Sequence, residues 1–380
     1  MKLVSIKESA AHEARVAITP EGAKRYVKDG FDVVVESGAG LSAGFPDQAY
    51  TDAGATIVNE AVDVLAQGDV ILKVQAPNAK EISAMKSGAT LVCLMNPHQN
   101  DAIIDNLKDH KITTFGLELV PRTTRAQAMD VLSSQANLAG YRAVLEAAQV
   151  FPRAFPMFMT AAGTIAPARV FVMGAGVAGL QAIATAKRLG AIVSATDVRA
   201  ASKEQVESLG ASFIMVEDEE TKAAETSGGY AKEMSAEYKA KQAALIAEHI
   251  KKQDIVICTA LIPGRPAPVL VSEEMLQSMK HGSVLVDLAV SQGGNCPLSE
   301  CDKIVQKHGV MLVGHSNLPA RVAADASQLF AKNVQNFLGL ITDPKGPVLN
   351  LNWEDDIVKA SGLTHAGERI HSQFGGAKAA

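Results

Sequence analysis

Arg169-Val170-Phe171-Val172-Met173-Gly174-Ala175-Gly176-Val177-Ala178-Gly179 is the most informative stretch of the chain. Its apolar start predicts a buried strand, and a G-x-G-x-x-G pattern follows directly, before an Ala-rich helix. In this context Gly174 permits a tight turn, Gly176 lets backbone N–H groups approach a pyrophosphate, and Gly179 lets the helix pack on its strand. With Val177 and Ala178 in the same turn, the segment predicts a dinucleotide-binding unit.

The residue that ends the next predicted strand bears on which dinucleotide is bound. Residues 191–196 predict that strand, and Asp197 follows it. A carboxylate there can accept both hydroxyls of the adenosine ribose and repels a 2′-phosphate. Arg199, reached through Val198, is the opposing consideration, because a guanidinium could bind that phosphate. With Asp197 present, we expect NAD(H) rather than NADP(H).

Strand-like runs alternate with helix-like segments along most of the chain. In the first 120 residues the runs are 31–36, 70–74, 90–95 and 112–117, and the second series is 169–173, 191–196, 212–216, 254–260, 283–290 and 310–315. This rhythm predicts βαβ units around parallel sheets. We therefore expect an α/β protein with two Rossmann-like domains.

Two longer segments predict how these domains connect. Residues 126–148 are rich in Ala, Leu, Gln and Met and lack proline, which predicts a long helix that forms one wall of an interdomain cleft. Residues 320–340 predict a second long helix that returns the chain. We expect a discontinuous first domain, a nucleotide-binding domain and NAD(H) in the cleft between them. The expected ranges are 1–125 plus 320–380 for the first domain, 126–148 for the connecting helix and 149–319 for the second domain.

Residues 152–167 are apolar and lie just before the fingerprint strand. They include Phe155, Met157, Phe158 and Met159, for which a monomer offers no obvious place of burial. An exposed apolar segment indicates a subunit interface and a homodimer. An ordinary buried connector fits the same composition.

Composition excludes several classes of protein. The 380 residues are 47% hydrophobic with a net charge of −5, and the Lys and Arg residues are spread out, which disfavours nucleic acid. No apolar run approaches a membrane span, and Glu8 interrupts the N-terminus before any signal core, so we expect a cytoplasmic protein that reaches membranes only through a partner. Cys93 and Cys258 are predicted to be core residues. The pair Cys296 and Cys301 lacks the further ligands that a metal site needs.

The segment 121–143, PRTTRAQAMDVLSSQANLAGYRA, closely resembles the signature of the NAD(H)-binding domain of proton-translocating transhydrogenase. The resemblance spans nearly the whole chain and recurs in residues 161–164, 228–234, 259–264, 286–289 and 293–296. It implies that four residues surround the nicotinamide and its ribose, with Gln127 orienting the ring: Arg122, Gln127, Asp130 and Ser133. From the residues alone, Arg122 and Asp130 could equally be a surface ion pair and Ser133 a solvated side chain.

Further nucleotide contacts are expected on the second domain. Gln242, Thr259, Ala260 and Leu261 belong to the set that the resemblance implies. The paired glycines 228 and 229 also predict a loop that closes over bound nucleotide, so that Gly229, Tyr230 and Met234 contact it. A simple surface turn explains the same glycines.

The chain also resembles alanine dehydrogenase, and the chemistry discriminates between the two. Arg15 and Lys73 stand where that family binds its substrate carboxylate, but Asn96 stands at its catalytic His and Ser291 at its catalytic Asp. Amino-acid oxidation requires a general acid/base, a role that Asn and Ser do not take near neutral pH. Hydride transfer between two nicotinamides requires none, so these departures favour a transhydrogenase.

The resemblance therefore implies one subunit of a split enzyme. Hydride would pass between NAD(H) on this chain and NADP(H) on a partner subunit, and a membrane-spanning component would couple that transfer to proton translocation. The alternatives are an alanine-dehydrogenase-like oxidoreductase and a non-catalytic module that senses NAD(H).

Overall fold

The computed structural model describes residues 1–216, 235–262 and 264–375. These residues divide into two compact units, each built on its own largely parallel sheet. The first unit contains Met1–Gln135 and the described part of Pro319–Ala380, and the second contains Ala136–Leu318. The fold class is α/β, as the alternating strand and helix patterns predict.

In the first unit, strands and helices alternate up to residue 116. The strands are β1 (Lys2–Ser5), β2 (Asp32–Glu36), β3 (Thr56–Val58), β4 (Val70–Gln75), β5 (Thr90–Leu94) and β6 (Thr113–Gly116). The helices are α1 (Pro20–Lys28), α2 (Asp47–Asp52), α3 (Ala61–Gln67), α4 (Ala79–Ala84) and α5 (Asp101–Asp109). The parallel order is β3-β2-β1-β4-β5-β6, which reverses between β1 and β4. A ligand site is favoured beyond the carboxyl ends of the strands at such a reversal.

The long helix α6 covers Val131–Val150, so the prediction that it begins at residue 126 is wrong. Thr124–Met129 instead form a 3₁₀ helix, and Asp130 leaves the helical region with ψ of 86°. The Ser133 amide donates to Asp130 Oδ1 at 2.9 Å, which makes Asp130 the capping residue of α6. Composition favoured helix throughout, but the capping carboxylate fixes where the helix begins.

The second unit opens with a two-stranded hairpin and continues as a seven-stranded sheet. Its strands are β7 (Phe158–Thr160), β8 (Gly163–Ile165), β9 (Arg169–Met173), β10 (Ile192–Thr196), β11 (Ser212–Phe213), β12 (Ile255–Cys258), β13 (Val284–Asp287), β14 (Ile304–Lys307) and β15 (Val310–Val313). Its helices are α7 (Val177–Arg188), α8 (Ser202–Ser208), α9 (Ala236–Ile250) and α10 (Glu273–Gln277). The sheet order is β11-β10-β9-β12-β13-β15-β14, and only β14 is antiparallel to its neighbour.

Residues of the fingerprint strand β9 alternate between two hydrophobic cores. Val170 and Val172 belong to one core, and Phe171 and Met173 belong to the core on the other face. A parallel sheet covered on both faces explains why this strand reads as a continuous apolar run. Cys93 and Cys258 are also buried core residues, as predicted.

The apolar segment before β9 is partly buried and partly exposed. Phe155 is only 6% exposed and packs edge-to-face on Phe151, so its expected lack of a burial place is wrong. By contrast, β7 and β8 form an antiparallel hairpin whose apolar side chains lie open to solvent. These are Met157, Phe158, Met159, which is 79% exposed, and Ile165.

The chain returns to the first unit through a long helix, as predicted. A 3₁₀ turn at Pro319–Val322 leads into α11 (Ala323–Leu338), followed by α12 (Asp356–Ser361), β16 (Gly362–His365) and β17 (Glu368–Arg369). Strand β16 adds to the edge of the first sheet, antiparallel to β6. Among the described residues, no helix combines the length and apolar character needed to cross a membrane.

Candidate functional site

The turn after β9 can be built only with glycine at two of its three fingerprint positions. Gly174 has φ of +107°, and a Cβ there would lie 2.4 Å from Thr259 Oγ1. A Cβ on Gly179 would lie 1.8 Å from the Gly174 carbonyl oxygen. The first turn of α7 therefore packs directly against the loop, with no room for a side chain.

Gly176, in contrast, faces open space. A Cβ on this residue would meet no atom within 4 Å, and Gly176 is the N-cap residue of α7. The backbone N–H groups that follow, from Val177 and Ala178, are the unsatisfied donors of a helix N-terminus, which bind phosphate groups. The shape and the donors fit the pyrophosphate of a dinucleotide.

Asp197 follows β10 and is hydrogen-bonded to the same loop. Its Oδ2 accepts the Ala175 amide at 2.7 Å, and Arg199 donates to it through the backbone N and Nε, both at 2.9 Å, and through Nη2 at 3.0 Å. Burial alone raises the pKa of this carboxyl, but the hydrogen bonds from Arg199 and Ala175 hold it below its usual value. Asp197 therefore stays ionised, and the Arg199 guanidinium is turned onto it, with Val198 exposed between them.

Gln242 connects the backbone beside this carboxylate. Its Nε2 donates to Thr196 Oγ1 at 3.2 Å and to the Ile214 carbonyl at 3.3 Å, and its Oε1 accepts the Val216 amide at 2.8 Å. The residue thus holds the ends of β10 and β11 together next to Asp197. The expected loop contacts Gly229, Tyr230 and Met234 lie outside the described residues.

The segment after β12 forms the other side of the loop. Thr259 Oγ1 donates to the Gly174 carbonyl at 3.1 Å, and Leu261 is exposed. Sequence reasoning missed the buried Asn295, which donates to the carbonyls of Ala260 and Pro268 at 2.9 and 2.8 Å. It also missed Asp287, whose carboxylate accepts the amides of Ala289, Asn295 and Cys296. A buried acid at a strand end was the available signal.

In the first unit, the four residues expected around the nicotinamide lie at the junction of the 3₁₀ turn and α6. Ser133 Oγ donates to Asp130 Oδ2 at 2.6 Å, so these two side chains are joined. Arg122 and Gln127 are exposed. Gln127 stands between the buried residues Ala126 and Met129, which leaves its amide directed away from the core.

Arg15 and Lys73 are buried among carboxylates and amides of the first unit. Arg15 donates to Glu13 through Nε and Nη2 at 2.8 and 2.7 Å, and to Gln135 at 2.8 Å. Lys73 lies 3.2 Å from Glu8 and 3.4 Å from Glu81. Burial lowers the pKa of Lys73, but the two carboxylates outweigh it and the pKa is raised. Both cations therefore already have anionic partners from the chain itself.

The two positions that depart from alanine dehydrogenase carry no strong base. Asn96 has φ of 45°, and its side chain donates to Gln99 at 2.8 Å. Ser291 lies in the 3₁₀ turn Val290–Gln292. Glu118, which accepts the Asn96 amide, was missed by sequence reasoning, and burial raises its pKa to about 7. Its Oε2 is buried and has no hydrogen-bond partner, so this carboxyl faces the protein interior.

Among the described residues, no cluster of three His, Cys, Asp or Glu side chains could hold a metal ion. Cys296 is buried in a hydrophobic core, and Cys301 is exposed. Their arrangement therefore gives no support to the metal alternative for this pair.

We expect Glu118→Gln to change how stability depends on pH. The folded chain keeps a proton on Glu118 that the unfolded chain releases, so stability falls as pH rises from 4.5 to about 7. Glutamine removes this loss. The stability of the variant relative to wild type should therefore improve by on the order of 3 kcal/mol between about pH 4 and about pH 8 in urea unfolding. Glu354→Gln, at an exposed carboxyl, is the control, and an equal difference at both pH values would contradict the raised pKa.

Comparisons with known proteins cover both units. A family profile described as "Alanine dehydrogenase/PNT, N-terminal domain" matches residues 5–139, and "Alanine dehydrogenase/PNT, C-terminal domain" matches residues 143–372. The chain is 56% identical over 381 aligned residues to the first of the polypeptides that make up the NAD(P) transhydrogenase alpha subunit of Rhodospirillum rubrum, and the match covers 99% of each chain.

Two solved structures support the same fold. A transhydrogenase structure from Sinorhizobium meliloti is 55% identical, with a TM-score of 0.90, and the match covers 97% of this chain and 100% of that one. A structure of L-alanine dehydrogenase is 24% identical with a TM-score of 0.81, covering 98% of each chain. At that identity the second match shows the fold alone.

Proposed function

We propose that this chain, which belongs to the alanine dehydrogenase/PNT family, is the NAD(H)-binding component of a proton-translocating transhydrogenase. Hydride passes between NAD(H) on this chain and NADP(H) on a partner subunit. A membrane-spanning partner couples that transfer to proton movement and holds this chain at the cytoplasmic face. The observation that carries the proposal is a dinucleotide loop beside an ionised Asp197, together with a nicotinamide-side segment that presents an amide, Gln127.

Asp197 selects the nucleotide. Its carboxylate is ionised at neutral pH and already joins the loop amide of Ala175. Ribose hydroxyls can donate to it, whereas a 2′-phosphate would meet a second negative charge. Because Arg199 donates three hydrogen bonds to the same carboxylate, its guanidinium reinforces that carboxylate rather than forming a separate phosphate site.

The residues of the nicotinamide side act by position. Bound NADH supplies the hydride, and no proton has to leave with it when the acceptor is another nicotinamide. Gln127 orients the ring, while Arg122 and the joined pair of Asp130 and Ser133 hold the ribose end. Fixed proximity and orientation can contribute about 7–11 kcal/mol towards a barrier, which is where we place the rate enhancement.

The two alternatives make different demands on the chain. An alanine-dehydrogenase-like enzyme needs a general base beside its substrate, and Asn96 and Ser291 are not bases. Such an enzyme would reduce pyruvate with ammonia and NADH unaided. A sensor module would bind NADH but transfer no hydride. The purified chain, assayed with NADH alone and then with an NADP-loaded partner, separates the three functions.

Gln127→Asn is expected to slow transfer while leaving NADH binding nearly unchanged. The shorter side chain keeps the amide but moves it, and misplacement of a reacting group costs about tenfold or more in rate. Transfer to the NADP-loaded partner is measured by stopped flow and NADH affinity by fluorescence titration. Gln48→Asn, the same change at an exposed residue of α2, is the control. Transfer as fast as in wild type would remove Gln127 from the proposed role.

Asp197→Asn is expected to reduce the preference for NADH over NADPH. The variant loses the charge that repels a 2′-phosphate and leaves the Arg199 guanidinium without its anionic partner. We expect the ratio of the two dissociation constants to fall by about tenfold, or about 1.4 kcal/mol. Parallel fluorescence titrations with NADH and NADPH measure it, with Glu207→Gln on α8 as the charge control. Equal discrimination in variant and wild type would refute the assignment.

We also propose that the β7–β8 hairpin makes the chain a homodimer. Its exposed apolar side chains lie together on one short antiparallel pair, the kind of surface that proteins bury in an interface. Met159→Asp places a charge at its most exposed apolar position and is expected to yield monomers in sedimentation experiments. Val62→Asp, at an exposed valine of α3, should leave the oligomeric state of wild type. A dimeric Met159→Asp variant would contradict this role.

A further inference from the structure

The 3₁₀ segment that carries Gln127 is held by a helix more than 200 positions away in the chain. The Ala128 carbonyl accepts two hydrogen bonds, from Asn333 Nδ2 and Asn336 Nδ2 of α11, both at 2.9 Å. Asn333 Oδ1 in turn accepts from Ser134 Oγ at 2.7 Å. The carbonyl next to Gln127 is thus fixed by a pair of amides one helical turn apart.

A second, independent contact fixes the other side of Gln127. Arg125 donates to Asp355 through both terminal nitrogens, at 2.6 and 2.9 Å, and also contacts Asp356. Asp355 is the N-cap residue of α12, where it accepts the amides of Ile357 and Val358. The hydrogen bonds from Arg125 hold the pKa of Asp355 at about 2, so the pair remains charged.

These contacts leave little freedom to the residue between them. Ala126 and Met129 are buried in the hydrophobic core, Arg125 is fastened to α12, and Ala128 is fastened to α11. Gln127 is the exposed residue enclosed by these four neighbours. Its backbone position is therefore set by elements from the far end of the chain.

From this arrangement we infer that Asn333, Asn336 and Asp355 form a brace whose role is to position Gln127 for hydride transfer. They are positioning residues, because they act through the 124–129 segment and not on the nucleotide. The inference rests on the proposed function. Arg125 is 49% exposed, and an ion pair so exposed contributes little to stability. A bidentate guanidinium–carboxylate contact nevertheless imposes a definite geometry, which is what an orienting amide requires.

The brace predicts a particular division of effects. Asp197 and Gly176 belong to the second unit and have no part in it, so NADH affinity should stay within about twofold of wild type. The transfer rate depends on where Gln127 stands, and a shift of about 1 Å in such a residue can slow the reaction by tenfold or more. We expect a fall in kcat with little change in the KM for NADH.

Two variants release the brace without dismantling the fold. Asp355→Asn keeps an oxygen that caps α12 but loses the charge that pairs with Arg125. Asn336→Ala removes one of the two donors to Ala128 and leaves Asn333 in place. The matched controls are Gln335→Ala, whose side chain on α11 accepts from Lys332, and Arg25→Gln, which breaks the exposed pair with Asp29.

Two readouts distinguish positioning from a general structural effect. Amide hydrogen exchange of residues 126–130 in the NADH-free chain should speed up in Asp355→Asn and Asn336→Ala but not in the controls. In a double-mutant cycle, Asp355→Asn should slow transfer by about tenfold in wild type and much less in a Gln127→Asn background, because both changes act on the same amide.

The outcomes separate this inference from the proposed function. Faster exchange together with non-additive rate effects supports the brace. Unchanged exchange, or rate effects that multiply independently of Gln127, overturns it while leaving the transhydrogenase proposal intact. A wild-type chain that transfers no hydride to its NADP-loaded partner, or a Gln127→Asn variant with full activity, overturns the proposed function and with it the role of the brace.

Discussion

The nucleotide-binding unit depends on one contact without clearance, between the first turn of α7 and the loop that precedes it. Because a Cβ on Gly179 would lie 1.8 Å from the Gly174 carbonyl oxygen, only glycine lets the helix begin so close to β9. A second close approach supports it, since a Cβ on Gly140 of α6 would lie 2.0 Å from the Ala178 carbonyl oxygen. These two approaches aim the helix N-terminus at the open space beside Gly176 and bring the Ala175 amide within 2.7 Å of Asp197.

Charge is arranged differently in the two units. In the second unit, one ionised carboxylate stands at the carboxyl edge of the sheet, where a ribose can reach it. In the first unit, the corresponding reversal between β1 and β4 is surrounded by buried cations that the chain satisfies with its own carboxylates, as Lys73 does with Glu8 and Glu81. Removing one partner of such a buried pair costs about 3–5 kcal/mol, so these residues now maintain the fold whatever else they bind.

The candidate site also shows how functional geometry relies on residues without functional chemistry. Asn295 and Asp287 hold the loops after β12 and β13 through backbone groups, and Asn333 and Asn336 do the same for the turn that carries Gln127. Amide and carboxylate side chains suit this work because they match the donors and acceptors that irregular backbone leaves unpaired. The reactive groups can then remain few, exposed and uncharged.

The α/β class, most of the strands, the glycine turn and the acid that follows β10 were all predictable from the sequence, because they follow from short-range periodicity and from residues only a few positions apart. The missing acid and base at Asn96 and Ser291 were visible there too. The start of α6 at Val131, the burial of Phe155 and the raised pKa of Glu118 depend instead on tertiary structure. So do the partners of Gln127's neighbours, which come from α11 and α12. A capping bond, a packing contact or a desolvated carboxyl depends on which distant segments fold against it, and no local pattern records that choice.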